Sequence, residues 1–340
     1  MIFKFALDPS CFESAHQKNL DDSVFEQHER FLEMWYRYGA LVGDTNLHSF
    51  LDSQLRGMHQ ELRKRWQAAF KHDNRFRTLA VNQVSNKPLW EAEDGSDVQE
   101  LSEQVQTVFV DQKKRNTFIR TWNKNSEICS FQSPSKSINH LDSQELDQIG
   151  ITPMSQEKLW KKYFQPLAEI SRNIVIVDRY AVNNLLETEE SKKSRKMGGG
   201  MDFFLQKLSR LPKNHTVKII AAALNLDGED LNFKDRLKAR LSDLEHQIKS
   251  NQLGSVRKLI ISLLPNPVFR DEAHYRFIRF DKTCISTDKG VSVFDVNGVS
   301  YEVQRATLKR YIYPGNVCEQ AEDELEGAEY LKNMRTFRKM

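Results

Sequence analysis

Asn173-Ile-Val-Ile-Val-Asp178-Arg-Tyr180 is the stretch whose reading decides the fold. Four consecutive apolar residues closed by an aspartate give a strand with no polar face, so both faces must be buried, as in the centre of a parallel sheet. Upstream, Leu159, Trp160, Tyr163, Leu167 and Ile170 recur at helical spacing. Downstream, the apolar runs 217–224 and 257–264 repeat the strand pattern. Between them lie Gly198-Gly199-Gly200, a short helix with Met201, Phe204, Leu205 and Leu208 on one face, and a longer helix carrying Phe233, Leu237, Leu241, Leu244 and Ile248. Strand, helix, strand, helix, strand predicts an α/β unit with right-handed crossovers. Pro265 and Pro267 then interrupt the rhythm, and the segments 274–280 and 291–296 read as an antiparallel hairpin joined through Asp288-Lys289-Gly290.

The chain has 340 residues and is 39 % hydrophobic, enough for two cores. The expected organisation is an α-rich, mixed α+β domain over 1–154, the α/β domain over 155–318 and an acidic helical tail over 319–340. In the first part, 2–7, 78–84 and 106–111 read as strands. Val24, Phe25, His28, Phe31, Leu32 and Trp35 mark one helix, a single second helix covers 47–70, and 123–156 reads as a loop-rich connector. No apolar run is long enough for a bilayer span, and residues 1–12 read as a strand, not a signal peptide. Cys11, Cys129, Cys284 and Cys318 form no C-x-x-C pair, so reduced thiols and a cytoplasmic location are expected.

The formal net charge of +3 is unevenly placed: −2 for residues 1–165, +7 for 166–318 and −2 for 319–340. A basic α/β segment between mildly acidic ones favours an anionic ligand, either nucleic acid or an acidic partner protein.

The local pattern richest in chemistry is Asp271-Glu-Ala-His274-Tyr-Arg276-Phe-Ile-Arg279-Phe-Asp281. On a strand beginning at His274, His274 and Arg276 share a face. An imidazole can attack phosphorus, a guanidinium can grip phosphate oxygens and a carboxylate can orient the imidazole. The spacing H-x-R-x4-D resembles the H-x-K-x4-D signature of the phospholipase D superfamily. It is closer still to its degenerate modules of the MIT C-terminal type, in which an Asp followed by an aromatic, here Asp178-Arg179-Tyr180, ends the first strand. The resemblance covers 155–318. It implies a phospholipase D-like sheet with crossover helices and His274, Arg276 and Asp281 as the catalytic set. Arg179 and Arg279 would act as phosphate-binding groups, with Asp178 in support. It also implies a phosphodiester or nucleic-acid partner, no cofactor, a setting in bacterial antiviral or mobile-element defence, and a partner protein from the same gene cluster. The pattern departs from active members: Arg276 stands for Lys, Asp288 for Gly, and one copy is present where active enzymes use two, which a homodimer could supply. Hydrolysis, phosphate binding without turnover, and a purely structural ion network all stay open, as does a noncatalytic protein-interaction module.

Two further patterns lie in the first half. Asp8 and Asp111 each end a predicted strand, with Asp44 and Glu29 available on helices or loops, a layout loosely resembling PIN-type nucleases that gather carboxylates around Mg²⁺. Asp111-Gln-Lys113 also reads as the D-x-K end of a restriction-type nuclease strand. Gly198–200, after Lys192, Lys193, Arg195 and Lys196, offers a conceivable phosphate site at a helix N-terminus, with no P-loop pattern to support it.

Overall fold

A computed structural model describes residues 2–16, 21–43, 47–71, 76–80, 104–122, 126–145, 147–186, 199–222, 231–264, 269, 276–296, 302–312 and 335–338. The chain is α/β throughout and divides into two compact units, Met1–Glu145 and Leu146–Met340. None of the described helices is long and apolar enough to cross a membrane.

The first unit is built on five parallel strands: β1 (Phe3–Leu7), β2 (Gly39–Gly43), β3 (Arg77–Ala80), β4 (Thr107–Val110) and β5 (Glu127–Ser130), in the order β3-β2-β1-β4-β5. The helices are α1 (Asp22–Tyr38), α2 (Leu47–Arg56), α3 (Gln60–Lys71), α4 (Gln112–Thr121) and α5 (Ile138–Glu145). Asp21 caps α1 by accepting from the Ser23 amide. The apolar stripe of α1 buries Phe31 and Trp35 against Phe5, Trp66 and Phe109. The mixed, helix-rich character expected of this half is present, and its strands form one parallel sheet. Strand β2 escapes the sequence pattern because Gly-Ala-Leu-Val-Gly is too short to show a period, and β5 sits within the polar connector. The single helix expected over 47–70 is two, α2 and α3, separated at Gly57.

The second unit begins earlier than residue 155, because β6 (Gln148–Ile151) lies at the edge of its sheet. The helical segment α6 runs over 156–170 with a π-helical turn at Trp160–Phe164. Then come β7 (Asn173–Val177), α7 (Gly200–Ser209), β8 (His215–Ala222), α8 (Leu231–Lys249), β9 (Val256–Leu264), β10 (Phe277–Phe280), β11 (Thr283–Thr287), β12 (Ala306–Ile312) and β13 (Arg335–Arg338). The eight-stranded order is β13-β9-β8-β7-β10-β11-β12-β6, with β7, β8 and β9 parallel and the remaining pairings antiparallel. Strand β7 is central, flanked by β8 and β10, and its four apolar residues are buried, as their unbroken run required.

The hairpin was placed wrongly by sequence. The partner of β10 is β11, reached through Asp281-Lys282, and Asp281 takes a positive φ of 47°. Gly290–Phe294 is a 3-10 turn rather than a strand. Phe294 packs against Phe164, Phe203 and Phe204, which anchors that turn to α6 and α7. Residues 313–334 lie outside the described residues, and 335–338, expected in a helical tail, pair as β13 on β9. Cys11 and Cys129 are free and buried, whereas Cys284 is disulfide-bonded, so the expectation of four reduced thiols fails there.

Candidate functional site

In the second unit the chain leaves β7 at Val177 and turns through Asp178, Arg179 and Tyr180. The Asp178 carboxylate, 1 % exposed, accepts the Tyr180 amide on Oδ1 at 3.0 Å and the Val291 amide on Oδ2 at 2.9 Å. Burial pushes its carboxyl above the usual range, opposed by those two amides and by Arg276. The close approach of the 290–294 turn depends on Gly290, which adopts φ +59°. A Cβ there would stand 2.1 Å from Asp178 Oδ2, so only glycine fits.

Arg276 enters from the start of β10. One guanidinium nitrogen donates to the Asp288 carbonyl at 3.1 Å, while its Nε stands 4.0 Å from Asp178 Oδ1, beyond hydrogen-bond reach. Its guanidinium carbon lies 4.8 Å from the centre of the Tyr180 ring, and that of Arg179 lies 5.5 Å from it. The Arg179 Nε is buried and has no hydrogen-bond partner. The Asp288 carboxylate accepts the Thr307 amide at 3.1 Å. Two guanidinium groups thus meet at one aromatic ring, at the carboxyl end of a central strand, beside one buried carboxylate already held by backbone amides.

The predicted residues separate into two places. Asp178, Arg179 and Arg276 come together. Asp281 does not join them: at the opposite end of β10 its carboxylate accepts the Arg172 and Asn173 amides at 3.0 and 2.9 Å. Five residues of strand and turn from Arg276 amount to roughly 16 Å, so Asp281 closes the turn beside β7 and does not orient a ring near Arg276. Arg279 also belongs to that end, donating to the Asp281 carbonyl at 2.6 Å. His274 lies outside the described residues, as do Asp271 and Glu272. Sequence reading named Tyr180 only as the aromatic after the strand-ending Asp178-Arg179; the structure brings its ring together with both guanidinium groups.

The Gly198–200 idea fails on geometry. The first amides of α7 are taken, Gly200 by Asp295 Oδ1 at 2.6 Å and Met201 by Asn184 Oδ1 at 2.7 Å. Lys192, Lys193, Arg195 and Lys196 lie outside the described residues.

In the first unit, β1 and β4 are neighbours where the strand order reverses, the place where open α/β sheets form a crevice. Asp8 and Asp111 follow those strands, as predicted. Asp8 is 0 % exposed and accepts the Ser10 amide at 2.9 Å and the Lys114 ammonium at 2.8 Å. Asp111 caps α4 by accepting the Lys114 amide at 2.6 Å, and its own amide donates to Ser10 Oγ at 3.0 Å. Lys113, the lysine of the D-x-K pattern, is exposed, while Lys114 turns inward. Burial and the Asp8 carboxylate push the Cys11 thiol well above its usual range, so it is no nucleophile. With both Asp8 oxygens and one of Asp111 engaged and an ammonium inserted, this is a closed ion-pair network that does not fit Mg²⁺ as it stands. Among the described residues no group of three or more His, Cys, Asp or Glu could hold a metal, and Asp44 lies outside them.

No protein family matches the chain, and no curated protein does. Among solved structures it is similar to phosphatidylserine synthase of Haemophilus influenzae Rd KW20, at 14 % identity and a TM-score of 0.30 over 56 % of this chain and 39 % of that one. It is also similar to TrmBL2, an archaeal chromatin protein described as showing a novel mode of DNA binding, at 14 % identity and a TM-score of 0.23 over 53 % of this chain and 50 % of the other. The chain thus spans half or less of the length of either.

Proposed function

We propose that the second unit is a phosphodiester-binding module, with nucleic acid as its ligand, that grips phosphate oxygens through Arg179 and Arg276. The observation that carries this reading is the state of the two guanidinium groups. Arg179 is part-buried with its Nε unpartnered, and Arg276 is 31 % exposed and stands 4.0 Å from Asp178 Oδ1, an ion pair without a hydrogen bond. A buried guanidinium N–H without an acceptor is costly, and phosphate is the partner whose oxygens the guanidinium fork matches. The +7 balance of 166–318 adds long-range attraction for a polyanion. Asp178 and Gly290 act as positioning residues, since they hold the turn whose Asp288 carbonyl fixes Arg276.

Binding without turnover is the form of the proposal, because Asp281 is spent on backbone amides away from Arg276. A role in antiviral or mobile-element defence belongs to the same proposal as the setting the resemblance implies. The test is fluorescence anisotropy of labelled DNA and RNA 20-mers, in Mg²⁺ or EDTA, with wild type, Arg179→Ala and Arg276→Ala. Each charge-assisted bond lost is worth about 1.5–3 kcal/mol, so affinity should fall roughly 10- to 150-fold per variant. Equal affinity of all three proteins, or no binding by wild type, would exclude the reading.

A further inference from the structure

We infer that this site selects unpaired nucleotides, with Tyr180 as the surface on which a base stacks; the inference rests on the phosphodiester reading above. Tyr180 is 38 % exposed, and it is the only aromatic among the large exposed apolar side chains of the described residues. An aromatic ring is ordinarily covered by a core, yet this one has only two guanidinium groups over it and keeps part of its surface open. Its amide is held by the buried Asp178 carboxylate, and the Ala181 amide donates to the Asp178 carbonyl at 3.0 Å, so the turn that carries the ring is pinned at both ends.

The surroundings of the ring give it a ligand class. The Arg276 and Arg179 guanidinium carbons lie over the ring, 4.8 and 5.5 Å from its centre, so phosphate-gripping groups share the ring with the surface that its exposure leaves for a base. A single-stranded nucleotide presents both complements at that spacing, a phosphate and a base with a free face. In a duplex the base faces are stacked on their neighbours and unavailable, so only the phosphates could be used. A lipid headgroup or free phosphate would use the arginines and leave the ring idle.

The experiment compares three labelled probes of equal length and charge per strand by anisotropy: a dT 20-mer, the same strand annealed to its complement, and a 20-mer that is abasic throughout. Each is titrated with wild type, Tyr180→Ala, Tyr180→Phe and Arg276→Ala, with inorganic pyrophosphate as a competitor and thermal unfolding as the fold control. Stacking of one base corresponds to roughly a 5- to 140-fold change in affinity. Wild type should therefore bind the dT strand that much more tightly than the duplex or the abasic strand. Tyr180→Ala should erase this preference, while Tyr180→Phe keeps it because the ring survives. Preference unaltered in Tyr180→Ala, or no preference in wild type, overturns the inference while Arg276-dependent binding leaves the phosphodiester reading standing. Loss of all oligonucleotide and pyrophosphate binding in wild type would overturn both.

Discussion

Gly290→Ala is the substitution on which the geometry speaks most sharply. Two costs add. At φ +59° an alanine is forced into the left-handed region, which costs about 1–2 kcal/mol. Its Cβ would also lie 2.1 Å from Asp178 Oδ2, so the turn must move away and the Val291 amide leaves the buried carboxylate, costing about 1.5–3 kcal/mol for a hydrogen bond to a charged group. Together they give about 2.5–5 kcal/mol, which for a unit of this size lowers Tm by roughly 5–20 °C. Binding should suffer beyond that, because the displaced turn carries the Asp288 carbonyl that fixes Arg276. Differential scanning calorimetry with oligonucleotide titration below the transition reads both effects. Gly150→Ala is the control, since nothing lies within 4 Å of a Cβ there. A Gly290→Ala protein that melts within 2 °C of wild type and binds equally well would refute the account of Asp178 and Gly290 as the scaffold of the site.

Other outcomes follow from the same coordinates. Lys114→Met leaves Asp8 buried without its ammonium partner and should destabilise the first unit by about 3–5 kcal/mol. Adding Asp8→Asn should restore most of that, as urea titration of the single and double variants would show. His28 accepts from Trp66 Nε1 on Nδ1 at 3.1 Å, and burial lowers its pKa from 6.5 to about 4. The unfolded chain therefore takes up a proton that the folded unit refuses. The His28 contribution is complete above pH 6.5 and declines as pH falls toward 4, by about 3 kcal/mol. In urea titrations at pH 7 and 4.5, His28→Gln should lose that much less than wild type, the remaining loss coming from His140 and His215, whose pKa values burial also lowers. Asp178→Asn gives one buried amide a donor to face instead of an acceptor and should weaken the unit by about 1–3 kcal/mol, measured by the same titration at pH 7.

The parts of this fold legible in sequence are those in which burial leaves its mark on consecutive residues. Strand β7 and the stripe of α8 are such cases, since one is buried on both faces and the other on a single face from Leu237 to Ile248. Strand β2 was not legible because five residues bounded by glycines carry no period, and its place in the sheet comes from pairing with β1 and β3 rather than from local preference. For the candidate site, Asp178 and Arg179 could be named because strand ends in α/β sheets are where ligands bind. Asp281 could be placed at the far end of its strand from spacing, but its carboxylate's partners could not, because they come from the start of the neighbouring β7, which β10 brings beside it. Lys114 lay one residue past the motif lysine, and only the cap geometry of Asp111 turns it toward Asp8.

The central claim is that Arg179 and Arg276 each hold a phosphate. The most direct test is the salt dependence of affinity for a dT 20-mer, measured from 50 to 300 mM salt for wild type, each single variant and Arg179→Ala/Arg276→Ala. Each phosphate contact removed should reduce the steepness of log affinity against log salt by about 0.7, so the double variant should lose about 1.4. Parallel lines for wild type and the double variant would contradict it.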